Sequence, residues 1–221
     1  MREDLARVLV QATAEMEIFL EEEQVLLFTR YFQEIIAWNE KINLLSRRSS
    51  EDVLLTNSID SLTALRSIPR KEGALLDLGS GGGFPGIPLK IALPEMKVSL
   101  LESSRKKTSF LKHIIRTLPL PEIVVIHDRV ENLLRNEAYK DAFDVVISKA
   151  AFKLPPFLMW GAFFLAPGGI LIAMKGENIK GEIEEANQAA DLSGLYLADS
   201  QPVTLPITGR KRRILIYRKS A

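Results

Sequence analysis

The sequence predicts an α/β fold: a mostly parallel β-sheet covered by helices, preceded by a helical extension and closed by an antiparallel hairpin. Three observations predict it. Short apolar runs, Ala74 to Leu78, Val98 to Leu101, Ile123 to Ile126, Phe143 to Ile147 and Ile170 to Met174, alternate with stretches of helical character, as parallel strands joined by crossover helices require. Up to about Arg66 the apolar spacing is helical throughout. Near the C-terminus Leu195 to Leu205 and Arg213 to Tyr217 face each other across Pro206-Ile207-Thr208-Gly209 with no helix between them, which predicts a hairpin at the sheet edge.

In the N-terminal part, Phe28, Tyr31, Phe32, Ile35 and Ile36 fall at i, i+3, i+4, i+7 and i+8, with Trp38 close by, the stripe of a helix burying one face. Ser49-Ser50-Glu51-Asp52 reads as a helix start, a hydroxyl set three residues before an acid. Pro69 and Gly73 punctuate the junction with the first strand, giving a helical cap over 1–70 and a sheet domain over 71–221. The 221 residues suffice for one large domain with a smaller appendage. There is no internal repeat or low-complexity tract.

Composition removes several classes of chemistry. No cysteine is present, so disulfides, cysteine metal sites, iron–sulfur clusters and thiol nucleophiles are excluded. His113 and His127 are the only histidines and have no acid or second imidazole at ligand spacing, so no metal site is expected. Lysine and arginine number 29 against 28 acids, a formal charge of +1, so any nucleic-acid binding must rest on local clusters. The start, Met1-Arg2-Glu3-Asp4, is acidic and amphipathic, indicating neither signal peptide nor membrane span and a cytoplasmic protein.

The most informative stretch is Leu75-Leu76-Asp77-Leu78-Gly79-Ser80-Gly81-Gly82-Gly83-Phe84-Pro85-Gly86, an apolar strand that ends in an acid and enters a glycine-crowded turn. Glycine admits positive φ and close approach of the backbone to another molecule, and a strand-to-helix turn aims N–H groups at one point. About twenty residues on, the second strand also ends in an acid, Glu102, where a carboxylate would grip ribose hydroxyls. Together they read as a nucleoside-cofactor site. Gly81-Gly82-Gly83-Phe84-Pro85-Gly86 satisfies the G-x-G-x-x-G of NAD sites, while Gly79, Gly81 and Gly83 form the G-x-G-x-G register that suits S-adenosylmethionine. A tight turn without ligand, and a solvated strand-end acid at Glu102, are the bland alternatives. Asp77 inside the strand end and the closing hairpin resemble class I methyltransferases.

The fourth strand ends in Ser148-Lys149-Ala150-Ala151. It offers no obvious base, and it differs from the Asn/Asp-Pro-Pro-Tyr that amino-methylating enzymes often carry at this point. Leu154-Pro155-Pro156-Phe157 lacks a leading acid or amide and starts a helix instead. Pyrimidine C5 methylation commonly needs a cysteine. What remains is an acceptor that is already nucleophilic, such as guanine N7, whose in-plane lone pair carries no proton. Basic residues cluster at Lys41 with Arg47 and Arg48, at Arg105-Lys106-Lys107, at Lys149 with Lys153, and at Arg210-Lys211-Arg212-Arg213. Arg105 to Lys107 and Lys149 fall near the carboxyl edge of the sheet, where a substrate arrives. Alternation along a strand keeps the last cluster from facing one side entirely, so at most part of it, Arg210 with Arg212, can grip a nucleic acid.

Beyond these readings the chain resembles the RsmG (GidB) family, bacterial 16S ribosomal RNA guanine-N7 methyltransferases. The resemblance rests on Trp38-Asn39-Glu40-Lys41-Ile42-Asn43-Leu44, Asp60-Ser61-Leu62, Asp77 to Leu89 with its Gly83-Phe84-Pro85-Gly86-Ile87-Pro88-Leu89 continuation, Glu102-Ser103 with Lys106-Lys107 and Phe110-Leu111, Arg129-Val130-Glu131, Phe143-Asp144 to Ala150, and Lys175-Gly176. It implies a class I methyltransferase fold, S-adenosylmethionine as cofactor, and 16S ribosomal RNA or the small ribosomal subunit as partner of a monomeric enzyme with no membrane association. By motif position it implies that Asp77, Gly79, Gly81, Gly83 and Phe84 line the cofactor loop, that Glu102 meets the ribose, that Val130 and Glu131 border the adenine, and that Lys149 serves catalysis or the cofactor. Two positions depart from the family pattern: Lys149 stands where an arginine is usual, and Asn57 where a histidine is usual. Ribose 2′-O methylation through Lys149 and Lys175, and a non-catalytic nucleotide-binding assembly factor, are the alternative functions.

Overall fold

The structure, a computed structural model, describes residues 2–42, 44 and 50–219. Asn43 of the tryptophan motif, Arg47 and Arg48 of the first basic cluster, and Ser49 of the expected helix start lie outside the described residues. The chain opens with α1 (Arg2–Glu15), α2 (Glu22–Asn39) and α3 (Ser50–Leu62), and then alternates β1 (Gly73–Leu78), α4 (Gly86–Ala92), β2 (Met96–Glu102), α5 (Arg105–Thr117), β3 (Ile123–His127), α6 (Val130–Leu133), β4 (Phe143–Lys149), α7 (Leu154–Phe164), β5 (Leu165–Gly176) and α8 (Lys180–Leu192). It closes with the antiparallel pair β6 (Leu195–Thr204) and β7 (Lys211–Lys219). Among the described residues no helix is long and apolar enough to cross a membrane.

The strands form one seven-stranded sheet in the order β3-β2-β1-β4-β5-β7-β6. The first five are parallel, and β7 runs antiparallel to both β5 and β6, leaving β6 outermost. The first half of the sheet thus grows outward from β1 and then reverses to β4. That reversal opens a crevice at the carboxyl ends of the strands, above β1.

Alternation along the strands sorts the core into two layers. Leu75 of β1, Val145 and Ile147 of β4, and Ile214 and Ile216 of β7 point to one face, where they meet Phe28, Ile35, Leu54 and Ile59 of α2 and α3. Leu76, Val146, Leu171 and Leu215 point to the other and meet Phe157 and Leu158 of α7 and Ala186 of α8. The N-terminal helices therefore share a core with one sheet face. Pro155 in the first turn of α7 fits that helix, because a missing N–H costs nothing there. The same parity places Asp77, Lys149 and Arg212 on the cap side at the carboxyl edge, so the cap roofs the polar chemistry as well as the core.

A shared core implies one cooperative unit. We expect W160F, which leaves Trp38 as reporter in α2, and W38F, which leaves Trp160 in α7, to give the same urea midpoint. Phe28→Ala, which empties a fully buried position, should lower both midpoints together at a cost of about 3–5 kcal/mol. A Trp38 transition that precedes the Trp160 transition would show a cap that unfolds by itself.

Candidate cofactor and acceptor site

The glycine loop is hung from β2. The N–H groups of Gly79 and Ser80 both donate to the Leu101 carbonyl at 3.0 Å, and the turn closes through Gly83 N–H and Phe84 N–H on the Ser80 carbonyl at 2.7 and 2.9 Å. The glycines in it serve different ends. Gly81 sits at φ 58°, and a Cβ added there would meet only the Gly79 carbonyl, at 3.9 Å; the position opens onto space a ligand can take. Gly83, at φ 95°, is different, since a Cβ there would run into Ile87 and the Tyr31 hydroxyl. The missing side chain at Gly83 lets α4 and the cap close on the loop. Tyr31 itself donates to the Gly82 carbonyl at 2.7 Å, and Phe84 packs on the Tyr31 ring at 5.6 Å between centroids. Phe84 is buried between loop and cap and lies outside the cleft described below.

Two strand-end acids hold this loop. Glu102 accepts from Gly81 N–H through Oε2 at 2.9 Å and from Ser104 N–H through Oε1 at 2.7 Å. It therefore fixes the loop and the start of α5 together, in addition to any ribose it would meet. Asp77 is fully buried and accepts from Gly86 N–H through Oδ2 at 2.9 Å, while its Oδ1 is buried with no hydrogen-bond partner among the described residues. Burial pushes its pKa from 3.8 up to about 7; the Gly86 N–H, Ser80 and the Lys149 charge pull the other way, and Glu102 adds to the rise.

Between the loop and the ends of β2 and β3 lies a cleft of about 250 Å³ lined by Gly79, Leu101, Glu102, Ser103, Asp128, Arg129, Val130, Glu131 and Phe152. Four of the sequence-predicted cofactor residues, Gly79, Glu102, Val130 and Glu131, meet here, while Asp77, Gly81, Gly83, Phe84 and Lys149 do not line it. Asp128 and Phe152 were not among the sequence-predicted residues. Asp128 follows the same rule as Asp77 and Glu102, an acid closing a parallel strand, and it accepts from Arg129 N–H at 2.8 Å and Asn132 Nδ2 at 2.7 Å. Phe152 reaches the cleft because Ala150 takes the left-handed conformation, φ 53°, just after β4. A Cβ at Gly79 would strike Ala151 and Phe152, so this glycine admits the aromatic wall.

On the cap side of β1, a polar group forms around Lys149. Its Nζ donates to Asn57 Oδ1 at 2.7 Å and lies 5.7 Å from the Phe84 ring centre. Burial lowers the Lys149 pKa; Asp60 opposes, Arg212 adds to the fall, and Asp77 opposes. Asp60, also buried, accepts from Arg212 Nε at 3.1 Å, and its Oδ1 has no partner among the described residues. Arg212 is thus engaged inside the protein, whereas Arg210 is exposed at the hairpin tip. Arg105 and Lys106 stand exposed in the first turn of α5, with Lys107 half-buried. Lys175 is held by the Phe152 carbonyl and Glu182 Oε1, both at 2.6 Å. His113 pairs with Glu34 at 2.7 Å and stacks by Trp38, joining α5 to the cap, and His127 faces the Ser103 carbonyl.

The Asp77 shift has a signed consequence. A folded-state pKa of about 7 against 3.8 means that the protonated acid favours folding; that stability is complete below about pH 4 and is lost as pH rises through about 7. Asp77→Asn keeps an acceptor for Gly86 N–H and removes the titration. Its urea midpoint, relative to the unsubstituted chain, should improve from about pH 4 to about pH 7 and level off above. A difference that does not change with pH would mean that the carboxylate is not held protonated by burial.

The chain matches, over residues 24–208, the GidB family, described as rRNA small subunit methyltransferase G. A Syntrophus aciditrophicus protein named ribosomal RNA small subunit methyltransferase G is 44% identical over 215 residues, 97% of this chain and 89% of that one. A Geotalea uraniireducens protein of the same name is 36% identical over 221 residues, 100% of each. Among solved structures, M. jannaschii TYW2 in complex with AdoMet superposes with a TM-score of 0.58 at 20% identity, over 74% of this chain and 76% of that one. Aeropyrum pernix fibrillarin with natively bound S-adenosyl-L-methionine gives 0.58 at 16% identity, over 73% and 76%; these two likenesses establish the class I methyltransferase fold. With its glycine loop strung between two strand-end acids and with relatives that match along nearly its whole length, this chain belongs to the GidB family of rRNA small subunit methyltransferases.

Proposed function

We propose that this chain is an S-adenosylmethionine-dependent methyltransferase that methylates N7 of a guanine in 16S ribosomal RNA, in the decoding region of the small ribosomal subunit. The observation that carries the proposal is a cofactor cradle beside an acceptor face marked by the Lys149 cation, with the neighbouring Ser148 hydroxyl committed to the Leu78 carbonyl. The cradle suits this cofactor. Gly81 leaves open the space that a side chain would fill, and behind the loop, outside the cleft, the buried Asp77 Oδ1 has no partner among the described residues, so a positive charge brought near it would be favoured. Glu102 and Asp128 offer carboxylates to the nucleoside end, with Val130 and Phe152 as apolar walls.

When bound, the cofactor supplies a sulfonium methyl group. Guanine N7 accepts it with its own lone pair, so the protein has no proton to remove and works by positioning and by electrostatics. Ser148 is not a base, because its hydroxyl donates to the Leu78 carbonyl at 2.9 Å. Lys149, oriented by Asn57 at the carboxyl end of β4, would direct the guanine or its phosphate. The methylated base gains positive charge, and the buried carboxylates of Asp77 and Asp60 temper the field there. Ribose 2′-O methylation would call on Lys175 as well, but that ammonium is committed to Glu182 and the Phe152 carbonyl. One chain supplies both donor cleft and acceptor face, which supports action as a monomer, in the cytoplasm where subunits are assembled.

The test is transfer of labelled methyl to small subunits and to free 16S RNA lacking the modification, followed by nucleoside analysis. We expect 7-methylguanosine; a 2′-O-methylated product, or binding of cofactor and RNA with no product, would replace this reading with one of its alternatives. Lys149→Ala should lower single-turnover rates roughly 100-fold with little change in cofactor affinity, and Lys149→Arg should retain activity because the charge stays. Gly81→Val should fold and yet fail to bind S-adenosylmethionine in a calorimetric titration; normal affinity in the folded variant would remove the loop from the site.

A further inference from the structure

Beyond the reach of Lys149, the carboxyl edge continues to a second groove. β7 is antiparallel to β5, with Gly176 opposite Arg212 and Met174 opposite Ile214, while Lys149 of β4 is opposite Met174. The hairpin tip is thereby brought to the same edge as Lys149, two strand spacings or about 10 Å along it. α3 spans the interval. Its Asn57 holds Lys149 and its Asp60 holds Arg212, and its Val53, Thr56 and Ile59 face the hairpin residues Ile207, Thr208 and Arg210 across a groove of about 250 Å³.

Two observations say what the groove takes. In the run of four basic residues, Lys211 pairs with Glu177 at 3.2 Å, Arg212 with Asp60 at 3.1 Å, and Arg213 donates to Ser200 Oγ at 3.1 Å. Arg210 is exposed and its side chain has no partner among the described residues, so it leaves a cation at the groove mouth. The second concerns Ile207. It is β-branched, sits at φ 69° and is 59% exposed, a strained backbone holding an apolar side chain in water next to apolar walls. Such strain persists where a binding surface needs the shape. Asp52 also lines the groove and has an interaction of its own. The volume is too small for a helix about 10 Å across, whereas a single base packed on aliphatic Ile207 with its phosphate on Arg210 fits it.

We propose that this groove binds a nucleotide of the RNA strand adjacent to the acceptor, with the base on Ile207 and Val53 and the phosphate on Arg210. The proposal rests on the RNA methyltransferase reading and names a subsite for its substrate, separate from the donor cleft. The two contacts have different signatures in salt, which makes them separable. The full chain is titrated with an unmodified 16S ribosomal RNA transcript across a salt series. Arg210→Ala should weaken binding about tenfold at low salt and flatten the slope of log affinity against log salt by about 0.7. Ile207→Gly, which relieves the left-handed strain at an exposed position and whose folding is checked by its urea midpoint, should weaken binding a few-fold with the slope unchanged. Cofactor affinity should be untouched in both.

Unaltered transcript affinity in either variant overturns the subsite. Loss seen with whole small subunits but not with the naked transcript overturns it too, and assigns the groove to a ribosomal protein. Wild-type chain that binds the transcript in this pattern but forms no 7-methylguanosine leaves the subsite standing and overturns the proposed function instead.

Discussion

The carboxylate of Asp77 lies buried at the end of β1 with one oxygen on the Gly86 N–H and the other without a partner among the described residues, and the glycine loop beside the donor cleft is built over that imbalance. An acid in such a place resists ionisation, as its rise to about 7 expresses. It is tolerated because it does structural work, anchoring the first turn of α4 to the strand behind it. The uncommitted oxygen leaves a place where a cation would be welcome. Glu102 complements it from β2 by fixing Gly81 and Ser104, so the loop is held at both ends before any ligand arrives, and the entropic cost of binding is reduced accordingly.

The acceptor side is held from the cap. α3 places Asn57 and Asp60 one helical turn apart, and each grips one cation of the sheet. Lys149 and Asn57, the two positions that the sequence reading set apart from the expected family pattern, touch each other. An ammonium has only donors, so the atom 2.7 Å from Lys149 Nζ has to be the carboxamide oxygen, and the Asn57 amide nitrogen is turned the other way. A histidine beside a lysine would need a ring nitrogen free to accept, which makes asparagine the simpler partner.

Much of this was legible in the sequence. Short apolar runs located the parallel strands and a period of 3.6 the aromatic stripe of α2, because both report burial, the largest energetic signal a chain carries. Asp77 and Glu102 were legible because acids at the ends of apolar strands stand out. Asp128 carried the same signal more faintly, one residue beyond a short strand. Phe152 was not legible, since it reaches the cleft only through the left-handed turn at Ala150. Nor was the difference between Gly81 and Gly83: both are glycines in one loop, and only the packing of Ile87 and Tyr31 separates a residue that opens a cavity from one that permits closure. For Arg212, the alternation rule showed that the basic run would split between faces, but not that Asp60 waited on one of them.

The account stands on Asp77 as an acid that burial holds near neutrality, and on the proposal that a cationic cofactor in the neighbouring cleft would favour its charged form. The most direct test is a carbon-13 NMR titration of the Asp77 carboxyl in the full chain, with and without S-adenosylmethionine and with Asp77→Asn to assign the resonance. The account predicts a midpoint near 7 in the free chain that falls clearly when the cofactor binds. A midpoint in the ordinary carboxylate range in the free chain, or one that binding leaves where it was, would contradict it.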